Sequence, residues 1–204
     1  MHLSMHNWMR AETLETTIKR LAKYGYKSIE IGAETGKYKT KDVRKLLKDN
    51  KLRCWGAISL MFTGLDLIQA DKDGREKTVQ YLKDSVTFVK ELDGEVMSIV
   101  PSEVGKVRAQ ADPKTEWKWA VQGLKEVYAH AQKEGIKIAI EPLNRFETNF
   151  ISRADQALAL AKAVGPDCGI CLDIFHMNIE EANWRQALIN TGNKLYDFHV
   201  ADNN

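Results

Sequence analysis

The sequence predicts an α/β chain of the (β/α)8 TIM-barrel type, here incomplete at about seven strands with the eighth β/α unit missing. Three observations carry that expectation. Short β-like runs alternate with amphipathic helical runs from end to end, without a Pro-, Gly- or Ser-rich linker, and such alternation calls for parallel strands joined by helical crossovers. The first strand leads into Met5-His6-Asn7-Trp8-Met9, which lacks the glycine-rich phosphate turn of a doubly wound dinucleotide fold. The chain has 204 residues where a closed barrel typically takes about 250, so it reads as one barrel domain over 1–204, truncated on its C-terminal side.

The first strand is expected at Leu3 to Trp8. A helix follows with Thr13 as its cap and Leu14, Ile18 and Leu21 on one face, ended by Gly25. Lys27 to Gly32 reads as the second strand, and Lys41 to Asp49 as a helix burying Val43, Leu46 and Leu47. Leu52 to Ser59 is the third strand. Leu60 to Gly74 is a loop of the length that compact domains keep for function, and Met61-Phe62 through Asp66 could supply an apolar lid. Val79, Leu82, Val86 and Val89 mark the helix after it, and Glu95 to Val100 the fourth strand.

Asp112-Pro113 is an N-cap followed by proline at the first helical position. That helix runs to Glu134 with Trp117, Val121, Leu124, Val127 and Ala131 facing inward, and Gly135 stops it before the fifth strand, Ile136 to Ile140. Trp117 and Trp119, two apart, cannot both face the core, which leaves one for a contact between subunits. Ser152 is the expected cap of a helix burying Ala157, Leu158 and Ala161. Gly169 to Leu172 is the sixth strand, Glu180 to Asn190 a helix, and Leu195 to Val200 the seventh strand.

Composition bounds the function. Hydrophobic residues at 44% and charged residues at 28% suit a globular domain. A net charge of +2, with Lys and Arg dispersed among Asp and Glu, gives no electrostatic case for nucleic acid. No long apolar run suggests a membrane span or export signal. Three cysteines, an odd number, do not form a disulfide framework, and a reducing cytoplasm is expected. Cys168 and Cys171 form a C-x-x-C without a second pair, and core packing is the expected role.

Barrel enzymes place their chemistry at the C-terminal ends of the strands. Glu141 closes the fifth strand, Asp173 the sixth, and His199 lies in the seventh. Any one alone would pass as a polar strand end. On three neighbouring strands, two carboxylates and an imidazole form a ligand set suited to Mn²⁺, Mg²⁺ or Co²⁺. His6 and Trp8 stand at the end of the first strand and Glu34 just past the second, and all three would line the same mouth.

Three segments carry a family resemblance: Glu141-Pro142-Leu143-Asn144-Arg145-Phe146-Glu147, Leu172-Asp173-Ile174-Phe175-His176-Met177 and Phe198-His199-Val200-Ala201-Asp202-Asn203. In order and along essentially the whole chain, they resemble the xylose-isomerase-like sugar phosphate isomerase/epimerase superfamily, most of all its ketose 3-epimerases acting on tagatose and psicose. The resemblance implies a divalent metal, Mn²⁺ first and Co²⁺ or Mg²⁺ next, held by Glu141, Asp173 and His199. It makes Glu141 a catalytic carboxylate as well, and Glu147 and His176 substrate-binding residues; His6 and Glu34 are expected substrate-binding residues from their position at the mouth alone. A second metal-binding glutamate on an eighth strand and an arginine just past Asn204 have no counterpart here.

The implied reaction is proton transfer beside a ketose carbonyl through a cis-enediolate. Its partner is a small sugar, with a homo-oligomer conceivable and neither nucleic acid nor membrane involved. Two other readings stay open: the barrel subunit of a metal-dependent C-glycoside deglycosidase, which works with a small partner subunit on 3-oxo-glycosides, and a non-catalytic or heteromeric pseudo-enzyme lacking the fourth ligand. The apurinic endonuclease branch of the same fold needs more histidines and a basic face than this sequence offers.

Overall fold

The computed structural model describes residues 3–8 and 10–202. Met1, His2, Met9, Asn203 and Asn204 lie outside the described residues, and with them one residue of the first turn and the end of the third motif. The elements run α1 (Leu14–Lys23), β1 (Ser28–Gly32), α2 (Thr40–Asp49), β2 (Arg53–Ile58), α3 (Lys72–Glu91), β3 (Val96–Ile99), α4 (Pro113–Glu134), β4 (Lys137–Ile140), α5 (Ala154–Val164), β5 (Gly169–Asp173), α6 (Ile174–Glu180), α7 (Trp184–Thr191) and β6 (Leu195–His199).

The six strands form one sheet in the order β1-β2-β3-β4-β5-β6, with every neighbouring pair parallel. Laid flat, five strand spacings of about 4.8 Å would hold β1 and β6 about 24 Å apart. Instead Glu30 on β1 and His199 on β6 are in hydrogen-bond contact at 2.9 Å, so the sheet is curled into a part-barrel with helices outside. At Gly56 on β2 the curl leaves no room for a side chain, because a Cβ there would lie 2.2 Å from the Val96 carbonyl oxygen.

The helices form where their caps and apolar stripes dictate. Thr13 Oγ1 accepts from Thr16 N–H, and Asp112 Oδ1 accepts from the N–H groups of Lys114 and Thr115. Each satisfies donors that a helix start otherwise leaves unpaired. Gly135 ends α4 in the left-handed conformation, φ 71°, where a Cβ would be strained. The buried faces meet in one core running from Leu14 to Ala187 and including Ile18, Leu82, Leu124, Ile138 and Leu160. No helix among the described residues is long and apolar enough to cross a membrane.

Several expectations are corrected. The strand expected at Leu3 to Trp8 is an isolated bridge, His6 to Glu30, held by Glu30 N–H donating to Met5 O at 3.0 Å. One such bond is too little for a ladder, so among the described residues the named strands number six rather than seven. Ser152 does not cap α5; Arg153 is the N-cap, and Gln156 Oε1 reaches back to accept from both N–H groups. The helix expected from Glu180 to Asn190 is α7, which starts only at Trp184, where Asn183 caps it through Gln186 N–H, and α6 before it was not expected.

The loop after β2 is fastened from within: Met61, Leu67 and Ile68 are fully buried, and Asp66 accepts from Lys106 Nζ at 2.7 Å. Met61 is therefore an anchor, and Phe62 alone of that pair is exposed. Trp117 packs on Phe150, ring centroids 6.0 Å apart, while Trp119 lies under the Arg75 guanidinium at 4.2 Å.

Candidate active site

Alternation along paired strands decides which side chains share the inner face. On β5 and β6 the register sets Cys171 beside Asp197 and Asp173 beside His199. Glu141 follows β4 directly and is tied to β3 by its N–H donating to Ile99 O. Glu30 sits mid-strand in β1. All four strands thus deliver a polar side chain to one place.

The Nδ1 of His199 lies 3.4 Å from Glu141 Oε1 and 4.0 Å from Asp173 Oδ2. Its Nε2 lies 2.9 Å from Glu30 Oε2 and 3.9 Å from Asp197 Oδ2. The imidazole is buried, as are Glu30 and Glu141. The sequence-expected trio Glu141, Asp173 and His199 is therefore brought together.

Four carboxylates surround one imidazole, and their protonation reflects that crowding. Burial alone would raise the Glu30 carboxyl, but His199 and His6 overturn it and hold it at about 2. Burial, with the Glu141 charge in support, lifts Asp173 above the ordinary carboxylate range. Burial and the nearby Glu30 push Asp197 to about 7. Burial works against a charged His199, yet Cys171, Glu30 and Glu141 around it outweigh that and raise it well above an ordinary histidine.

These residues fit a divalent cation. Glu141 Oε2 is buried without a hydrogen-bond partner, which is costly unless something positive meets it. Glu141, Asp173 and His176 offer donor atoms within 4.8 Å of one another, as do Glu141, Cys171 and His199. Carboxylate oxygens with one imidazole nitrogen suit Mn²⁺, Co²⁺ or Mg²⁺.

His176 lies in the first turn of α6, the helix that leaves β5 without an intervening loop because Asp173 also caps it through Phe175 N–H. His176 Nδ1 accepts from the Asn144 backbone N–H at 3.3 Å and lies 2.9 Å from Asn144 Nδ2. Two donors on Nδ1 favour the tautomer that carries its proton on Nε2. Asn144 Nδ2 also donates to Glu147 Oε1 at 2.7 Å. Glu147 is thus held to the site and not spent on its basic neighbours, since Arg145 pairs with Glu180 and Arg153 with Asp155.

His6 joins the cluster, its Nδ1 3.3 Å from Glu30 Oε2 and its ring 4.1 Å from Trp8 and 4.9 Å from His199. Glu34 does not join it. Its carboxylate is met by Lys37 at 2.7 Å and by the Tyr38 hydroxyl at 3.2 Å. The sequence reading missed Glu30, Asn144, Cys171 and Asp197. The signals were present: an acid inside the apolar run Ser28 to Gly32, and residues two before Asp173 and His199 on the same inner face. All three cysteines are free and buried, with burial raising Cys54 and Cys168 to about 12.

Residues 18–204 match the profile of the xylose isomerase-like TIM barrel family. An L-ribulose 3-epimerase of Mesorhizobium japonicum is 30% identical over 138 residues, covering 67% of this chain and 46% of that protein. A D-psicose 3-epimerase of Agrobacterium fabrum is 29% identical over 197 residues, covering 92% of this chain and 67% of that protein. The crystal structure of a D-psicose 3-epimerase in the presence of D-fructose superposes with a TM-score of 0.89 at 26% identity, over 99% of this chain and 73% of that one. The alignments with curated relatives therefore span from about half to two thirds of those relatives' length.

Proposed function

The chain belongs to the xylose isomerase-like TIM barrel family, and from that premise we propose that it is a divalent-metal-dependent ketose 3-epimerase acting on free sugars. The observation that carries this is the convergence of Glu141, Asp173 and His199 from the ends of β4, β5 and β6 within 4.0 Å of the His199 Nδ1. The relatives named 3-epimerases support it. Glu141, Asp173 and His199 would hold the cation, with Mn²⁺ the first choice. When bound, the cation supplies positive charge beside the ketose carbonyl and so lowers the cost of the negative charge that proton removal creates there.

The chain's own groups supply the rest. Glu141 is the base that takes the proton from the substrate's C3, leaving an enediolate. His176, with Nε2 as its free donor, and Glu147, fixed by Asn144, hydrogen-bond the sugar hydroxyls and decide which carbon faces Glu141. His6 and Trp8 close the pocket beside His199. Inversion needs a second group to return a proton from the opposite face, whereas exchange of the C3 proton with solvent needs Glu141 alone. The free buried cysteines fit a reducing cytoplasm.

Incubation with Mn²⁺ in D₂O and D-fructose, D-psicose, D-tagatose or L-ribulose tests this, with NMR following deuterium at C3 and the epimer formed. Deuterium entering at C3 of one ketose is the expected result. A chain that binds Mn²⁺ yet exchanges no C3 proton and forms no epimer from any of them is not a ketose epimerase. A parallel incubation with a 3-oxo-C-glycoside addresses the deglycosidase reading, which the named relatives do not favour.

A further inference from the structure

We infer that Glu30 is a positioning residue, which accepts the His199 Nε2 proton and so presents the Nδ1 lone pair to the space between Glu141 and Asp173. The inference rests on the metal reading above and goes beyond it, because Glu30 lies on β1, far in sequence from the three ligating strands.

The geometry is specific. Glu30 Oε2 is 2.9 Å from Nε2, while Nδ1, on the other side of the ring, is the nitrogen nearest Glu141 and Asp173. A neutral imidazole has one N–H and one lone pair, and an ionised carboxylate can only accept. A carboxylate on Nε2 therefore dictates which nitrogen is left to ligate. Metal-bound histidines generally depend on such an outer acceptor, and removing it typically weakens metal binding about 10- to 100-fold.

Glu30 is itself held on a rigid strand, buried, with the same Oε2 meeting His6 Nδ1 at 3.3 Å. The His6 ring stands edge-on to His199, 4.9 Å between centroids at 86°, and Trp8 lies 6.4 Å from it, so the imidazole is confined in plane as well as in tautomer. Asp197, 3.9 Å from Nε2, is beyond hydrogen-bond reach and does not compete. A different use of His6, Glu30 and His199, closing on a cation of their own, would engage both ring nitrogens of His199 at once and leave that ring without a proton.

The test combines metal affinity with the ring's protonation. Two-bond ¹H–¹⁵N correlation spectra of the Zn²⁺-loaded wild-type chain should show His199 with its proton on Nε2 and the metal on Nδ1. Mn²⁺ titration followed by EPR should give one ion per chain and a Kd about 10- to 100-fold weaker in Glu30→Gln. The wild-type spectrum keeps the inference testable even where the variant does not fold. A proton on Nδ1, a folded Glu30→Gln that binds Mn²⁺ within about twofold of wild type, or two Mn²⁺ per chain would overturn it. Wild type that binds no divalent metal would overturn the metal centre and this inference together. Intact binding and tautomer without ketose turnover would overturn only the proposed reaction.

Discussion

Glu30 and His199, 169 residues apart and on opposite edges of the sheet, meet at 2.9 Å. This contact joins the first and last strands across the inside of the part-barrel, so it bears on stability as well as on the site. Glu30 is held at about 2 against an ordinary 4.5, so the stability it contributes is present above pH 4.5 and lost as pH falls from there towards 2. The shift corresponds to on the order of 3 kcal/mol. His199, raised instead, contributes below its unfolded value near 6.5 and loses that contribution as pH climbs through its folded value. Urea unfolding of the metal-free chain should therefore show wild type more stable than Glu30→Gln at pH 5, with the gap narrowing by roughly half by pH 3. Parallel curves across that window would mean that Glu30 is not titrating as described.

The same raised imidazole predicts a proton cost for metal binding. The carboxylates around His199 favour its doubly protonated form in the metal-free chain, and a cation can take Nδ1 only after any proton there leaves. Calorimetry with Mn²⁺ in two buffers of different ionisation enthalpy should show net proton release, and affinity should rise with pH. Binding without proton release, or affinity flat from pH 6 to 8, would place the metal elsewhere.

Lys106 and Asp66 make a buried ion pair at 2.7 Å that ties the loop after β3 to the loop after β2. Glu116 lies 4.0 Å from the same ammonium. Breaking such a pair by removing one partner leaves an uncompensated charge, which typically costs about 3–5 kcal/mol. Lys106→Met should destabilise the chain by that amount in chemical denaturation, and adding Asp66→Asn should recover part of it. A loss below about 1 kcal/mol would show that water reaches this pair.

The barrel-type alternation was legible because caps and apolar stripes are local. Thr13, Asp112-Pro113 and Gly135 act where the sequence puts them, and each strand from β1 to β6 falls within its expected segment. The trio Glu141, Asp173 and His199 was legible because ligand-type residues stood at successive strand ends. Less visible was anything decided by distance across the fold. Leu3 to Trp8 has the alternation of a strand but makes only one bridge, and the pairing of Glu34 with Lys37 depends on a turn that the residue types alone do not fix. Glu30 stayed hidden because its partner lies on the far edge of a sheet that must curl before the two can touch, and α6 because one residue, Asp173, both ends a strand and caps a helix.

The central claim is that one divalent cation is held jointly from three adjacent strands. Anomalous diffraction at the manganese edge from crystals grown with Mn²⁺ tests it directly. The account predicts one peak within about 2.5 Å of a Glu141 oxygen, an Asp173 oxygen and the His199 Nδ1. A manganese peak bound by other residues, or His199 Nδ1 turned away from Glu141 in the loaded crystal, would contradict it.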